Sequence, residues 1–208
     1  MEFVSYKIEY RKQVLAKQHR SLLFFANDTA YRAAGVLRID ATTETAKMIG
    51  PNYGIGNYFW HGGIKVKGKI YAHPSHANTV LVINTKEGGT LSELEIHRAE
   101  YDKDTRKNYK WLGGTVGADG NIYCPACDTS AVLKINITTD HCETLGFAGT
   151  KKNKWQGGIL GRDNCIYCIP ADGDHGELYN EPSSFTTFCI ENTHFVFCCC
   201  CCCQSYSL

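Results

Sequence analysis

All three tryptophans of this 208-residue chain open the same short phrase. It reads WHGGIKVKGKIYAHP from Trp60, WLGGTVGADGNIYCP from Trp111 and WQGGILGRDNCIYCIP from Trp155. Each copy has Trp, one variable residue, two glycines, a turn, then Ile-Tyr and a proline. A second phrase alternates with the first. Ala34–Asp40, Asn78–Asn84 and Ser130–Asn136 share the pattern Val-Leu-x-Ile followed by Asp or Asn. A period of roughly 45 residues with a variable loop means one supersecondary unit stacked on the next, because no single unit can bury its own apolar faces.

The unit around Trp111 shows what is repeated. Gly113 to Gly117 is a short apolar stretch, and Asp119-Gly120 reads as a two-residue hairpin turn. Asn121 to Cys124 is the returning strand, rich in β-formers. After the loop Pro125 to Thr129, the strand Ala131 to Asn136 puts Val132 on one face and Leu133 and Ile135 on the other. Ile137 to Asp140 is turn material, and Glu143 to Phe147 closes a fourth strand. The fold class expected is therefore all-β, built of four-stranded antiparallel meanders. Trp60, Gly62, Gly63 and Tyr71, with Trp111, Gly113, Gly114 and Tyr123, and Trp155, Gly157, Gly158 and Tyr167, form its structural signature. Rings fill the wedge between neighbouring sheets, and glycines permit a kink or a close backbone approach.

The run IYAHPSHANTVLVINTKEGGTLSELEI from Ile70 resembles the YVTN-type β-propeller repeat. The Asp-Gly-x-Ile-Tyr element resembles NHL, streptogramin-lyase-like and kelch-like blades. The resemblance covers about residues 30 to 180 and implies a partial β-propeller. It implies no particular activity, since these families include enzymes, scaffolds and sensors. No catalytic set from the lyase relatives has a counterpart here, so none is carried over. Propellers usually have four to eight blades. The expectation is a fragment or imperfect gene model, or self-association through open blade edges.

The repeat divides the chain into a non-repeat segment over 1–26, about three units over 27–180, and an irregular Cys-rich tail over 181–208. In the first, Gln13 to Phe25 reads as a short amphipathic helix. In the last, six consecutive cysteines, Cys198 to Cys203, have no packing logic. They read as translated simple sequence in a disordered tail, with a palmitoylated anchor as the alternative. The charged run His97 to Lys110 reads as a solvated insertion between units.

Charge is balanced, with 22 basic and 21 acidic side chains and a formal net charge of +1. This gives no electrostatic ground for a nucleic-acid partner. No apolar run is long enough for a transmembrane segment. The absence of a secretory leader favours a reducing, cytoplasmic setting, in which cysteines are thiols.

Two CxxC pairs, Cys124/Cys127 and Cys165/Cys168, suggest zinc, but the repeat argues otherwise. Cys124 and Cys168 align with Ala72, a small buried position. Cys165 and Cys168 sit three apart on an extended segment and face opposite ways. His61-Gly62-Gly63 resembles an oxyanion loop, yet the glycines recur in every unit and no nucleophile elbow accompanies them. The loops after each Ile-Tyr strand are polar and should gather on one face. His73, His76, Asp128 and Asp172 are weak metal candidates there, and no cofactor is implied. The functional expectation is a non-catalytic binding or scaffold module that offers this face to a protein partner or small ligand. The alternatives are a metal-dependent propeller enzyme of lyase or lactonase type, and a truncated product without function of its own.

Overall fold

The computed structural model describes residues 21–28, 33–40, 43–54, 58–86, 88–99, 109–171, 186–191 and 194–199. The chain divides into two compact units, residues 1–57 with 87–90, and 58–86 with 91–208. No helix occurs among the described residues.

In the first unit, β1 (Ser21–Asp28), β2 (Ala33–Asp40) and β3 (Thr45–Ile49) form an antiparallel sheet in that order. Val36, the repeat valine of β2, is buried. The expected helix is corrected over residues 21–25. Ser21 lies opposite Asp40 and Phe25 opposite Val36, so this stretch is strand. An apolar run such as Leu-Leu-Phe-Phe fits either element by periodicity, and the pairing partner decides. Residues 13–20 of that reading lie outside the described residues.

The second unit begins with β4 (Trp60–Val66), β5 (Lys69–Pro74), β6 (Thr79–Asn84) and β7 (Thr90–His97). The next four strands are β8 (Thr115–Val116), β9 (Ile122–Cys124), β10 (Ala131–Asn136) and β11 (His141–Phe147). Each set is a meander, as the repeat implies. The two are joined by parallel pairing of their last strands, with Ile96 opposite Cys142 and His97 opposite Glu143. The result is one eight-stranded sheet in the order β4-β5-β6-β7-β11-β10-β9-β8. All eight strands send side chains into one core. Tyr71, Val80 and Val82 enter it from the first meander, and Ile122, Leu133 and Ile135 from the second, around Trp111.

A third meander follows: β12 (Trp155–Leu160), β13 (Cys165–Pro170), β14 (Thr186–Glu191) and β15 (His194–Cys199). Its Ile166 and Cys168 pack on Tyr123 and Val132, which leave the other face of the second meander. Val132 and the Leu133/Ile135 pair thus serve two different cores, as their alternation predicts. The strands β14 and β15 lie within the stretch read from sequence as an irregular tail; residues 172–185 and 200–208 lie outside the described residues.

The Trp-x-Gly-Gly phrase encodes a β-bulge. Trp60 lies opposite Pro74 and Gly63 opposite Ala72, so the first strand carries one residue more than its partner. Trp155 and Gly158 repeat this against Pro170 and Cys168. The extra residue falls at the first glycine, with φ of 81° at Gly62 and 127° at Gly157. A bulge kinks its strand and re-aims neighbouring side chains. Here it turns the indole inward, where Trp60 Nε1–H donates to Thr79 O at 2.9 Å. Trp111 Nε1–H donates to the equivalent carbonyl, Ala131 O, at 3.0 Å. Each indole thereby ties the start of its blade to the third strand of the same blade.

In the second blade the hairpin that follows is a three-residue turn, not the two-residue turn expected at Asp119-Gly120, whereas in the first blade Val66 pairs with Lys69 across the two residues Lys67 and Gly68. Gly120 N–H bonds Gly117 O at 2.9 Å, and Gly117 N–H bonds Asn121 O at 2.8 Å. Asn164 takes the place of Gly120 in the third blade, at φ 67°. The turn aspartate reaches back to the Tyr of the Ile-Tyr strand. Tyr123 O–H donates to Asp119 at 2.8 Å and Tyr167 O–H to Asp163 at 2.7 Å. In the first blade Lys67 stands where the aspartate would be. Tyr71 O–H instead donates to Asp140 Oδ1 of the next blade at 2.7 Å, and Lys69 Nζ pairs with the same carboxylate.

Burial pushes the Asp119 pKa up, but hydrogen bonds from Asn121 and Tyr123 outweigh it, and the net shift is downward. A carboxyl held below its unfolded value stabilises the fold fully above that value, about 3.9. The contribution is lost as pH falls through the lowered folded value. Asp119→Asn is therefore expected to lower stability at neutral pH and to flatten its acid limb. Urea melts at neutral and acidic pH check this, and an unchanged acid limb would count against the coupling.

Candidate functional site

The loops that follow the Ile-Tyr strands are held by backbone bonds running from blade to blade. Ser75 N–H bonds Phe59 O at 2.8 Å, and His76 N–H bonds Tyr58 O at 3.0 Å. The segment before Trp111 lies between two such loops. Its Lys110 N–H donates to Ser75 O at 3.0 Å, and Lys110 O accepts from Cys127 N–H at 2.9 Å. Lys154 N–H continues the series to Cys127 O at 3.2 Å, and Ala171 N–H to Lys154 O at 3.0 Å. These bonds fix the loops on one side of the second unit, as the sequence predicts.

Two lysines reinforce the series. Lys110 is fully buried, and its ammonium donates to His76 O at 2.9 Å. Lys154 occupies the same place one blade on and donates to Cys127 O at 2.8 Å and Thr129 O at 2.7 Å. Sequence reading missed this pair. The signal is the Lys-Trp dipeptide at 110–111 and 154–155, obscured because Phe59 precedes Trp60. Lys110, read as the end of a solvated insertion, is thus part of the blade; residues 100–108 of that run lie outside the described residues.

His73 is buried, and its Nδ1–H donates to His61 O at 3.1 Å. His61 Nδ1–H in turn donates to Leu112 O at 2.9 Å, linking the first and second blades. Burial of the His73 ring pulls its pKa down to about 4, against the opposite pull of the His61 carbonyl. The imidazole is therefore neutral near pH 7. With the proton on Nδ1, its Nε2 is left as an acceptor. Among the described residues no partner meets that Nε2, nor Ser75 Oγ, nor His76 Nε2. All three atoms of this loop are enclosed within the fold, so none of them is presented to a partner that docks on the surface.

Beside it stand exposed aromatic rings. The His76 ring meets Tyr109 edge-on at 4.8 Å and Tyr58 edge-on at 5.8 Å between centroids. Tyr58 is 55% and Tyr109 42% exposed. Sequence reading picked His76 and missed both tyrosines, which lie just outside the repeated phrases.

The other candidates fall elsewhere. Asp128 is buried in the next loop, where Oδ1 accepts Asn153 N–H at 2.8 Å. Asp172 lies outside the described residues. Among the described residues no group of three or more His, Cys, Asp or Glu is placed to hold a metal ion. The cysteines aligned with Ala72 are buried as it is: Ala72 and Cys124 are fully enclosed, and Cys168 is 1% exposed. Burial pushes the Cys168 thiol up to about 12, and Cys124 also well above its ordinary value. Neither is an active thiolate at neutral pH. Cys165 departs from the thiol expectation, because it is disulfide-bonded.

No family model and no curated protein matches the chain. Solved structures do. A functionally unknown protein from Desulfotomaculum acetoxidans superposes with a TM-score of 0.54 at 13% identity, over 86% of this chain and 51% of that one. A putative 6-phosphogluconolactonase from Bacteroides uniformis gives 0.51 at 11% identity, over 86% and 52%. A streptogramin B lyase gives 0.46 at 13% identity, over 72% and 52%. The chain spans about half the length of these proteins, and at such identities the likeness shows the fold alone. The repeat, the meanders packed face to face and the first two likenesses agree that this chain folds as successive blades of a β-propeller.

Proposed function

We propose that the chain is a non-catalytic binding module that receives a partner protein segment on its loop face. The observation that carries this reading is the Tyr58–His76–Tyr109 ring cluster, with Tyr58 and Tyr109 exposed on the loop face. Tyrosine presents a large rigid apolar face with a polar tip at low entropic cost, which suits it to the centre of a protein interface. The groups that could carry chemistry are committed otherwise. His73 is neutral and bonded, Cys124 is a buried thiol, and Asp119 and Asp163 hold tyrosines.

The test is a displayed peptide library panned on the immobilised chain, with Tyr58→Ala/Tyr109→Ala as the counter-target. Both rings are largely exposed, so the double variant should melt within a few degrees of the parent. Enriched peptides are expected to bind the parent at least tenfold more tightly than the variant. Failure to enrich, or equal binding to both, would remove the loop face as the binding surface.

A further inference from the structure

The outer side of the third blade repeats a face that its two neighbours bury. In each blade the tyrosine of the Ile-Tyr strand sits opposite a residue of the first strand: Tyr71 with Ile64, Tyr123 with Thr115, and Tyr167 with Ile159. The first two tyrosines point at the following blade. Tyr71 enters a core with Trp111, Ile122 and Leu133, and Tyr123 enters a core with Ile166 and Cys168. Both are 1% exposed. By the same alternation Tyr167 points away from Ile166 and Cys168, and Ile169, two residues on, shares its side. There Ile159 is 61% and Ile169 44% exposed, and Tyr167 is half-buried. The complementary face is present in the first unit. Leu133 and Ile135 are second-blade residues that share the core with Tyr71. Their counterparts in the repeated phrase are Leu37 and Ile39 on β2, and Met48 on β3 lies opposite Leu37. Leu37 and Ile39 are half-buried, and Met48 is 46% exposed.

We propose that the third blade of one copy packs on the first-unit sheet of a second copy of this chain, and that two such contacts close a dimer. Ile159, Tyr167 and Ile169 of one copy meet Leu37, Ile39 and Met48 of the other, as Ile64 and Tyr71 meet Leu133 and Ile135 within the chain. A second copy fits because each chain carries both halves of the contact. The contact is head-to-tail, joining two different surfaces, and such contacts form closed rings when the rotation between copies allows it. Four meanders from each copy, the three-stranded one included, make eight, within the usual range of about four to eight blades. Two of the solved chains above are matched over only 51% and 52% of their length, and a second copy supplies the remaining half.

The test is the mass of the full chain by sedimentation, with free thiols alkylated so that Cys198 to Cys203 cannot cross-link copies. The parent is expected to run as a dimer that dissociates on dilution. Ile159→Glu and Met48→Lys each place a charge in the contact, at a side chain that is exposed in the single chain. Each is expected to weaken the dimer about tenfold or more, because the charge is buried without a partner. An equimolar mixture of the two variants is expected to recover most of the parent affinity. One contact is then unaltered, and the other sets opposite charges against each other. A self-complementary contact gives no such recovery. Oxidative footprinting of the parent supplies a reading that needs no variant. Met48 and Tyr167 should lose reactivity together as concentration rises, and Tyr58 on the loop face should not. A monomeric parent, an open series of larger assemblies, a dimer that survives both substitutions, or a mixture no tighter than its components would each overturn the proposal.

Discussion

Trp111→Ala is expected to destabilise the second unit by about 3–5 kcal/mol, the range for emptying a buried aromatic site. Truncation removes three interactions at once. The ring is completely buried among Tyr71, Val80 and Ile122, at the centre of the core shared by two blades. Its Nε1–H satisfies Ala131 O at 3.0 Å. The Arg98 guanidinium carbon sits 5.1 Å from the ring centroid. Domains of this size hold about 5–15 kcal/mol in all, so this one substitution takes away a large share. Trp111→Phe separates the terms. It keeps most of the apolar volume but removes one of two donors to the Ala131 carbonyl, which Thr129 Oγ1–H also meets at 3.1 Å, a loss of about 0.5–1.5 kcal/mol. Trp155→Ala should cost less than Trp111→Ala, because Trp155 is half-buried at the edge of the smaller core. Denaturant midpoints of the three variants give the order. A loss at Trp111 no larger than at Trp155 would mean that the repeated indole is not what holds neighbouring blades together.

The parts of this fold that could be read from sequence are those the repeat states more than once. The aligned tyrosines Tyr71 and Tyr123 are both buried. The Trp-x-Gly-Gly phrase predicts a kink, and a bulge is found at Trp60 and again at Trp155. What could not be read depends on exceptions to the repeat. Lys67 replaces the turn aspartate, so Tyr71 takes its partner from Asp140, a residue 69 positions away. No alignment of the units points to that bond. Strand β1 was missed because an apolar run shows no period by which to choose strand over helix. The loop face was legible as polar, and His73 and His76 were picked from it, but the reason offered was metal ligation. The structure gives His73 a carbonyl partner and gives His76 two aromatic neighbours. Such commitments are made across blades, and a linear reading of one blade does not contain them.

The second glycine of each Trp-x-Gly-Gly phrase carries the other large effect, and Gly114 is the sharpest case. A β-carbon built there would lie 2.8 Å from Cys124 Sγ, 2.9 Å from Tyr123 O and 3.1 Å from His73 Nε2. The equivalent positions meet the equivalent carbonyl, with Tyr71 O at 3.2 Å from Gly63 and Tyr167 O at 3.4 Å from Gly158. The residue is glycine in all three units because the first strand of the blade runs against the backbone of the second there. At Gly63 and Gly158 the carbonyl approach is looser, and much of the crowding comes from a side-chain methyl, of Ile70 or Ile166. At Gly114 two of the three neighbours cannot retreat. Tyr123 O belongs to a paired strand, and Cys124 is fully buried against the shared core. Gly114→Ala is therefore expected to cost about 2–3 kcal/mol, near the upper end for overpacking by one carbon. Gly149→Ala supplies the control. Its β-carbon would meet nothing within 4 Å, but its φ is 77°, so it isolates the left-handed backbone penalty of about 1–2 kcal/mol. If the two variants lost the same stability, with the same unfolding slope, close approach of the strands would not be the reason for the glycine pair. The alanine would also crowd His73 Nε2 directly. A rise in the reactivity of His73 toward diethyl pyrocarbonate in Gly114→Ala is thus expected, as the ring is pushed from its bond to His61 O.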